Sequence, residues 1–253
     1  MADLSIRDVS FSYGETQILK DVSLHLKDQE LVSLLGESGG GKTTLFHVIA
    51  GVLRPDRGQV LLNGQDITGE SGHVSYMLQK DLLLPYRTII DNVCLPLLLA
   101  GMKKKEARAK AAPNFADFGL AGTELQYPHQ LSGGMRQRAA LLRTYMFSLS
   151  REGSPVAALL DEPFSALDTL TRQEMHRWYL GMMEKIRLST LFITHDIDEA
   201  ILLSDRICLL TGRPGTISEE IVIERPKSKR DGFAVTEEFL EYKKRILKGL
   251  KRT

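Results

Sequence analysis

The chain has 253 residues, with 33 Lys and Arg against 32 Asp and Glu for a formal net charge of +1, and is 43% hydrophobic and 26% charged. That is the composition of an ordinary globular protein with one good core, and it excludes a disulfide scaffold, a long disordered chain and two independent domains. Near-neutral charge argues against non-specific nucleic-acid binding, and residues 93–102, an uncharged run broken by Pro96, fall far short of the roughly 20 apolar residues of a membrane span.

The first elements read as β. Leu4 and Ile6, then Val9, Phe11 and Tyr13, then Val22, Leu24 and Leu26 recur at the period of half-buried strands. Leu31-Val32-Ser33-Leu34-Leu35 is almost continuously apolar, as in a strand buried on both faces. It runs into a glycine-rich turn and then a helical pattern through Leu45, Val48 and Ile49, which is the start of a βαβ unit. From about residue 82 to 150 the pattern is helical. Thr88 and Asp91 offer a capping box ahead of Val93, and Ser132 precedes a helix with Met135, Ala139, Leu142 and Met146 on one face.

Residues 156–160, 191–193 and 207–210 are apolar runs suited to further parallel strands. Arg213-Pro214-Gly215 reads as a turn and residues 225–232 as a polar connector. The tail is helical, with Thr236 as its cap and Phe239, Ile246 and Leu250 on one side. Lys103-Lys104-Lys105 and the basic end (Lys243, Lys244, Arg245, Lys248, Lys251, Arg252) read as solvated helix faces. The fold class is therefore α/β: a parallel core, an N-terminal antiparallel β part and an inserted helical part. Two cysteines, Cys94 and Cys208, and a start without a basic and then apolar stretch imply a reduced, cytosolic setting.

Chemistry enters at Gly36-Glu37-Ser38-Gly39-Gly40-Gly41-Lys42-Thr43, which matches the phosphate-loop pattern G-x-x-x-x-G-K-[ST]. Glycines let successive N–H groups converge on an anion, and the following helix turns its positive end to the same point. Lys42 can reach the β- and γ-phosphates, and the Thr43 hydroxyl can ligate Mg²⁺. The apolar run to Leu160 ends in Asp161 and Glu162; beside a phosphate loop, Asp161 would hold Mg²⁺ and Glu162 would polarise the attacking water. Leu131-Ser132-Gly133-Gly134-Met135 opens another helix and is a second anion site, or else an ordinary serine cap.

Together these residues resemble the ATP-binding subunit of ATP-binding-cassette (ABC) transporters. The stretch Leu131 to Met135, continuing through Arg136, Gln137 and Arg138, is similar to that family's signature motif. The resemblance implies a P-loop NTPase fold with a RecA-like parallel core, and a signature that binds the ATP held by a second copy. Two chains then sandwich two nucleotides head to tail, which explains why one chain carries two anion sites. It further implies an adenine-stacking role for Tyr13 and a Mg²⁺- and water-sensing role for Gln79. Asp168, at the end of Ser165-Ala166-Leu167-Asp168, would cross the dimer interface, and His195 would contact the γ-phosphate.

Thr44 joins the phosphate loop, and Gln137 the signature, on the same ground. The remaining histidines (His25, His47, His73, His129, His176) match nothing. The layout implied is one ABC domain over 1–253: core and β part at 1–81 and 151–225, helical subdomain at 82–150, helical tail at 226–253.

Residues 79–86 followed by Asp91-Asn92-Val93 look like the importer branch for nitrate, sulfonates, taurine and thiamine precursors, although Tyr86 stands where Trp is usual. Leu142-Arg143-Thr144 departs from Ala-Arg-Ala, and residues 148–153 look like a short polar extension. The expected function is an ATP-hydrolysing importer subunit, peripheral on the cytoplasmic face of the membrane. Its cofactors are ATP and Mg²⁺, and its partners a second copy, permease subunits and, indirectly, an extracytoplasmic solute-binding protein. The alternative is a soluble ABC ATPase acting on DNA or ribosomes, set against it by the single phosphate loop and the absence of heptads between Lys42 and Asp161. A nucleotide-binding module without hydrolysis would not need Glu162.

Overall fold

In the computed structural model, which describes residues 3–151 and 156–251, the early β periodicity becomes a hairpin of β1 (Leu4–Tyr13) and β2 (Thr16–Leu26). The spacing Leu4, Ile6, then Val9, Phe11 skips one residue because Asp8 takes a left-handed φ of 48°. The pairing register shifts there, so the inward face moves from even to odd positions. Next come β3 (Leu31–Gly36), α1 (Lys42–Ile49), β4 (Arg57–Leu62), β5 (Gln65–Asp66) and β6 (Ser75–Met77). The helical part holds α2 (Ile89–Val93), α3 (Leu95–Leu99), α4 (Lys104–Ala111), α5 (Asn114–Asp117) and α6 (Gly133–Ser150). The chain closes with β7 (Ala158–Asp161), α7 (Thr169–Ile186), β8 (Thr190–Thr194), α8 (Ile197–Leu203), β9 (Arg206–Thr211), β10 (Thr216–Val222) and α9 (Glu237–Leu250).

Two sheets result. The antiparallel one runs β2-β1-β4-β5, the other β10-β9-β3-β8-β7-β6. In the second sheet β9, β3, β8, β7 and β6 are parallel, and β10 pairs antiparallel with β9 at the edge. All six residues of β3 are buried, as its continuous apolar run requires. β10 has no counterpart among the expected elements, because its half-buried Ile217 and Glu219 and exposed Glu220 mask the alternation. β7 begins at Ala158, two residues later than the apolar run, though the Ala157 carbonyl already accepts the Ser75 N–H at 3.0 Å.

Three apolar cores hold the layers together. One joins the antiparallel sheet to α1 and the parallel sheet through Leu4, Val22, Phe46, Val60, Leu159 and Leu191. A second fills the space between the sheet's other face, the short helices, α6 and α7 with Ile89, Phe115, Leu142, Phe164 and Phe192. The third seats the C-terminal helix: Phe239 and Ile246 of α9 pack with Phe233, Ile207 and Ile221.

One local expectation is corrected. Thr88 is the N-cap of α2 but its hydroxyl has no hydrogen-bond partner among the described residues, and Asp91 turns away to pair with Lys104 at 3.0 Å and Arg108 at 2.8 Å, so no capping box forms. Two cations gain more from that carboxylate than one backbone amide does. The connector at 225–232 is polar as expected, and Arg230 within it is buried. The C-terminal cap is found as expected, the Thr236 hydroxyl accepting the Phe239 N–H at 3.3 Å. Part of the predicted 148–153 extension, residues 152–153, lies outside the described residues.

Candidate active site

The site lies along one edge of the parallel sheet. Because β3, β6, β7 and β8 run parallel, their C-terminal ends all emerge on the same side, where ligands of open α/β sheets bind. Each end delivers something different: β3 the phosphate loop, β6 Gln79, β7 Asp161 and Glu162, and β8 His195.

The loop's shape follows from its glycines. Gly36 passes so close to β9 that an added Cβ would stand 2.3 Å from the Leu210 carbonyl oxygen. Gly41 takes φ +94°, and a Cβ there would meet Leu19 at 2.8 Å. As the N-cap of α1, Gly41 has no side chain to offer the helix. The N–H groups of Lys42, Thr43 and Thr44 in the first turn therefore stay available to an anion. An open pocket of about 280 Å³ is lined by Ser38, Gly39, Gly41, Lys42, Thr43 and Glu162, with Thr44 and Ile18 beside them. Glu37 and Gly40 instead line a neighbouring hollow with Leu210 and Arg213.

The Lys42 ammonium donates to the Gly36 and Glu37 carbonyls, each at 2.8 Å. Burial lowers its pKa, opposed by Glu162, Asp161 and Glu37. Asp161 accepts hydrogen bonds from the Thr43 hydroxyl at 3.2 Å and the Tyr76 hydroxyl at 3.4 Å. Burial pushes its carboxyl above the usual carboxylate range, while those two hydrogen bonds pull the other way. Thr43 and Asp161 thus converge on one point, a hydroxyl and a carboxylate that suit a hard cation. Among the described residues no cluster of three or more His, Cys, Asp or Glu could hold a metal by itself. A Mg²⁺ ion here would be completed by phosphate and water oxygens, as that ion prefers.

Next to it the Glu162 carboxylate is gripped from both sides. Gln79 Nε2 donates to Oε2 at 3.0 Å, and His195 Nδ1 lies 3.1 Å from Oε1. Glu162 has a left-handed φ of 45°, a conformation that disfavours any residue with a Cβ. Its backbone N–H is fixed to the Ile193 carbonyl at 3.0 Å. Tyr13, at the end of β1, is 52% exposed and meets Phe11 edge-on at 4.8 Å between ring centres.

The signature residues lie elsewhere. Ser132 caps α6, accepting the Met135 N–H at 3.3 Å, and with Gly133 it is exposed, while Gly134 is buried. None of Ser132, Gly133, Gly134 and Gln137 lines the phosphate-loop pocket. Gln137 donates instead to the Pro163 carbonyl, tying α6 to the segment that carries Glu162. Asp168 caps α7, accepting the Thr171 N–H at 3.1 Å, and its pKa is lowered chiefly by its bonds to Thr171. The structure therefore gathers the phosphate loop, Asp161, Glu162, Gln79 and His195, and leaves the signature outside that group.

Residues 19–165 match the family described as ABC transporter. The chain belongs to the ABC transporter family. Among its relatives, the formylaminopyrimidine import ATP-binding protein ThiZ of Halalkalibacterium halodurans is 41% identical over 98% of this chain and 94% of its own. The nitrate import ATP-binding protein NrtD of Synechocystis is 36% identical over 92% of this chain and 88% of its own. The aliphatic sulfonates import ATP-binding protein SsuB 2 of Burkholderia cenocepacia is 39% identical over 90% and 82%. In structure, a dimeric ATP-binding cassette in a post-hydrolysis state with ADP and Pi superimposes with TM-score 0.72 at 27% identity, covering 88% of this chain and all of that one. This ABC chain is accordingly an ATP-binding ATPase built on the P-loop α/β fold.

Two polar side chains that shape these segments of the ABC chain were not evident from the sequence. Tyr76 reaches Asp161 only because β6 lies parallel beside β7. Asn92, fully buried, accepts the Leu84 N–H at 2.6 Å and donates to the Leu84, Arg87 and Thr88 carbonyls, shaping residues 84–88. Its place in Asp91-Asn92-Val93 was the available signal.

Proposed function

We propose that this chain is the energy-coupling ATPase of a membrane importer for a small solute, of the nitrate, sulfonate, taurine or thiamine-precursor type. It works as a head-to-tail pair with a second copy, docked on permease subunits at the cytoplasmic face. An extracytoplasmic solute-binding protein acts upstream. The observation that carries the reading is the Glu162 carboxylate held between Gln79 and His195 at the rim of the phosphate-loop pocket. A carboxylate placed there can orient water for in-line attack, and His195 can hold the γ-phosphate from the other side.

In this reading Lys42 and the N–H groups of Gly39 and of Gly41 to Thr44 cradle the phosphates, while Gly36, Glu37 and Gly40, whose N–H donates to the Glu37 carbonyl at 3.1 Å, shape the loop. Tyr13 stacks on the adenine. Thr43, Asp161 and Gln79 would hold Mg²⁺, which would neutralise charge on the leaving phosphates when bound. Ser132, Gly133, Gly134, Gln137 and Asp168 serve the nucleotide of the partner copy. The import names of the relatives and the dimeric form of the structural neighbour support the assembly.

No helix among the described residues is long and apolar enough to cross a membrane, so attachment falls to a docking face. Leu82 and Tyr86 are 50% and 72% exposed and are the proposed contact. Arg136 bonds Asp81 at 3.2 Å, and Arg143 bonds the Asp81 and Leu82 carbonyls at 2.6 and 2.9 Å. Those bonds link α6, and so the signature, to that face. The test is Glu162→Gln, which keeps ATP binding and slows turnover at least about tenfold, a floor below the roughly hundredfold that a general base ordinarily contributes. Near wild-type turnover removes Glu162 from the role.

A further inference from the structure

Between α7, α8 and the segment at 225–232 lies an open cavity of about 530 Å³ that shares no lining residue with the phosphate-loop pocket. Its size is that of a small-molecule site. Arg177 and Leu180 line it from α7, Leu202 from α8, and Lys227 and Arg230 from the connector.

The charges there are poorly compensated. Arg230 is 4% exposed, yet its guanidinium meets only carbonyls: Nε donates to Arg225 at 3.0 Å, and Nη1 to Ile201 at 3.3 Å and Leu202 at 3.0 Å. Burial pushes this guanidinium down to about 10 against the pull of Asp205, Tyr242 and Glu238, as an under-solvated cation would be. Arg177 is exposed and forms no ion pair among the described residues.

The nearby carboxylates are mostly spoken for. Asp205 holds Lys227 at 2.5 Å, and Glu199 holds His176 at 2.7 Å, which leaves the exposed Asp231 as the lining carboxylate. Two guanidiniums thus face one carboxylate, over a wall of Leu180, Leu202 and Ala234. A guanidinium short of solvent gains most from a bidentate oxyanion, and the aliphatic wall favours an apolar body.

We propose that this cavity binds a small organic anion, its oxyanion on Arg230 and Arg177 and its apolar body against Leu180 and Leu202. The site is separate from ATP chemistry, although the two helices that frame it begin at Asp168 and Asp196, beside the proposed nucleotide-contacting residues. Calorimetric titration of the full chain with hexanoate, hexanol and sodium sulfate tests it. Hexanoate binds with a Kd of roughly 0.1–1 mM, and hexanol and sulfate bind at least about tenfold more weakly, since each lacks one half of the complement. Arg177→Glu, at an exposed position, weakens hexanoate at least about tenfold and leaves ATP affinity within about twofold. Equal binding of hexanol, hexanoate binding unchanged in Arg177→Glu, or no hexanoate binding by about 10 mM overturns the proposal.

Discussion

The N-termini of α1 and α6 are two answers to the same problem of unpaired N–H groups. At α1 the cap is Gly41, which offers nothing, so the first turn is left for a ligand, with a buried Lys42 and the Glu162 carboxylate around the same pocket. At α6 the cap is Ser132, whose own hydroxyl takes the Met135 N–H, on a helix end that is exposed and outside that pocket. The first is built to be completed by a nucleotide bound to its own chain. The second is satisfied as it stands, by its own serine. Under the proposed head-to-tail pairing, that difference lets one chain carry two phosphate sites and one catalytic centre.

The sharpest way to break this contrast is at Lys42. Lys42→Ala lowers ATP affinity about a hundredfold, the loss of two strong charge-assisted bonds to phosphate, measured by calorimetry on the isolated chain. On the proposed pairing, in which the signature serves another copy's nucleotide, Ser132→Arg leaves that affinity within about twofold yet abolishes turnover. Mixing the two inactive variants then restores roughly a quarter of wild-type ATPase activity. Half the dimers are mixed, and each of those holds one intact site of two. No recovery on mixing means that phosphate loop and signature serve the same nucleotide within one chain.

Smaller effects sharpen the same picture. Ser132→Ala removes a serviceable cap and costs about 1 kcal/mol in urea unfolding. The same change at Gly41 is no test of capping, because φ there is left-handed. Smallest is Tyr76→Phe. Asp161 must be ionised to hold a cation, and its pKa is already raised by burial, so activity falls on acidification from above the ordinary carboxylate range. Removing the tyrosine hydroxyl takes away a bond that favours the charged form. The acid limb of the ATPase pH profile therefore moves further up, by a few tenths of a pH unit, roughly the weight of one long hydrogen bond. A downward shift contradicts the bond's assigned direction.

Residues whose chemistry rests on local spacing were legible in the sequence. The phosphate loop, the Asp161-Glu162 pair and the Ser132 and Thr236 caps each depend on neighbours within a few positions. Residues whose role depends on strand pairing were not. Tyr76 could be recognised only once β6 lay beside β7, and β10 hid its alternation at a half-exposed edge. Asp91 went to the wrong partner for a further reason, because Lys104 and Arg108 are brought to it by the packing of α4 on α2. Arg230 stands in a run of polar residues with nothing local to mark it for burial, and only the carbonyls at the end of α8 drew it inward.

The backbone at Glu162 sets a limit on how this site can vary. A left-handed φ on a residue with a side chain costs about 1–2 kcal/mol, and glycine would relieve it. A carboxylate there is thus carried at the expense of local stability. The limit also restricts its replacements. Straight-chain or short polar residues can follow the same backbone, whereas valine, isoleucine or threonine would force the turn after β7 to rebuild. A variant that loses hydrolysis through one of these branched residues therefore reports on the shape of the turn as much as on the missing carboxylate.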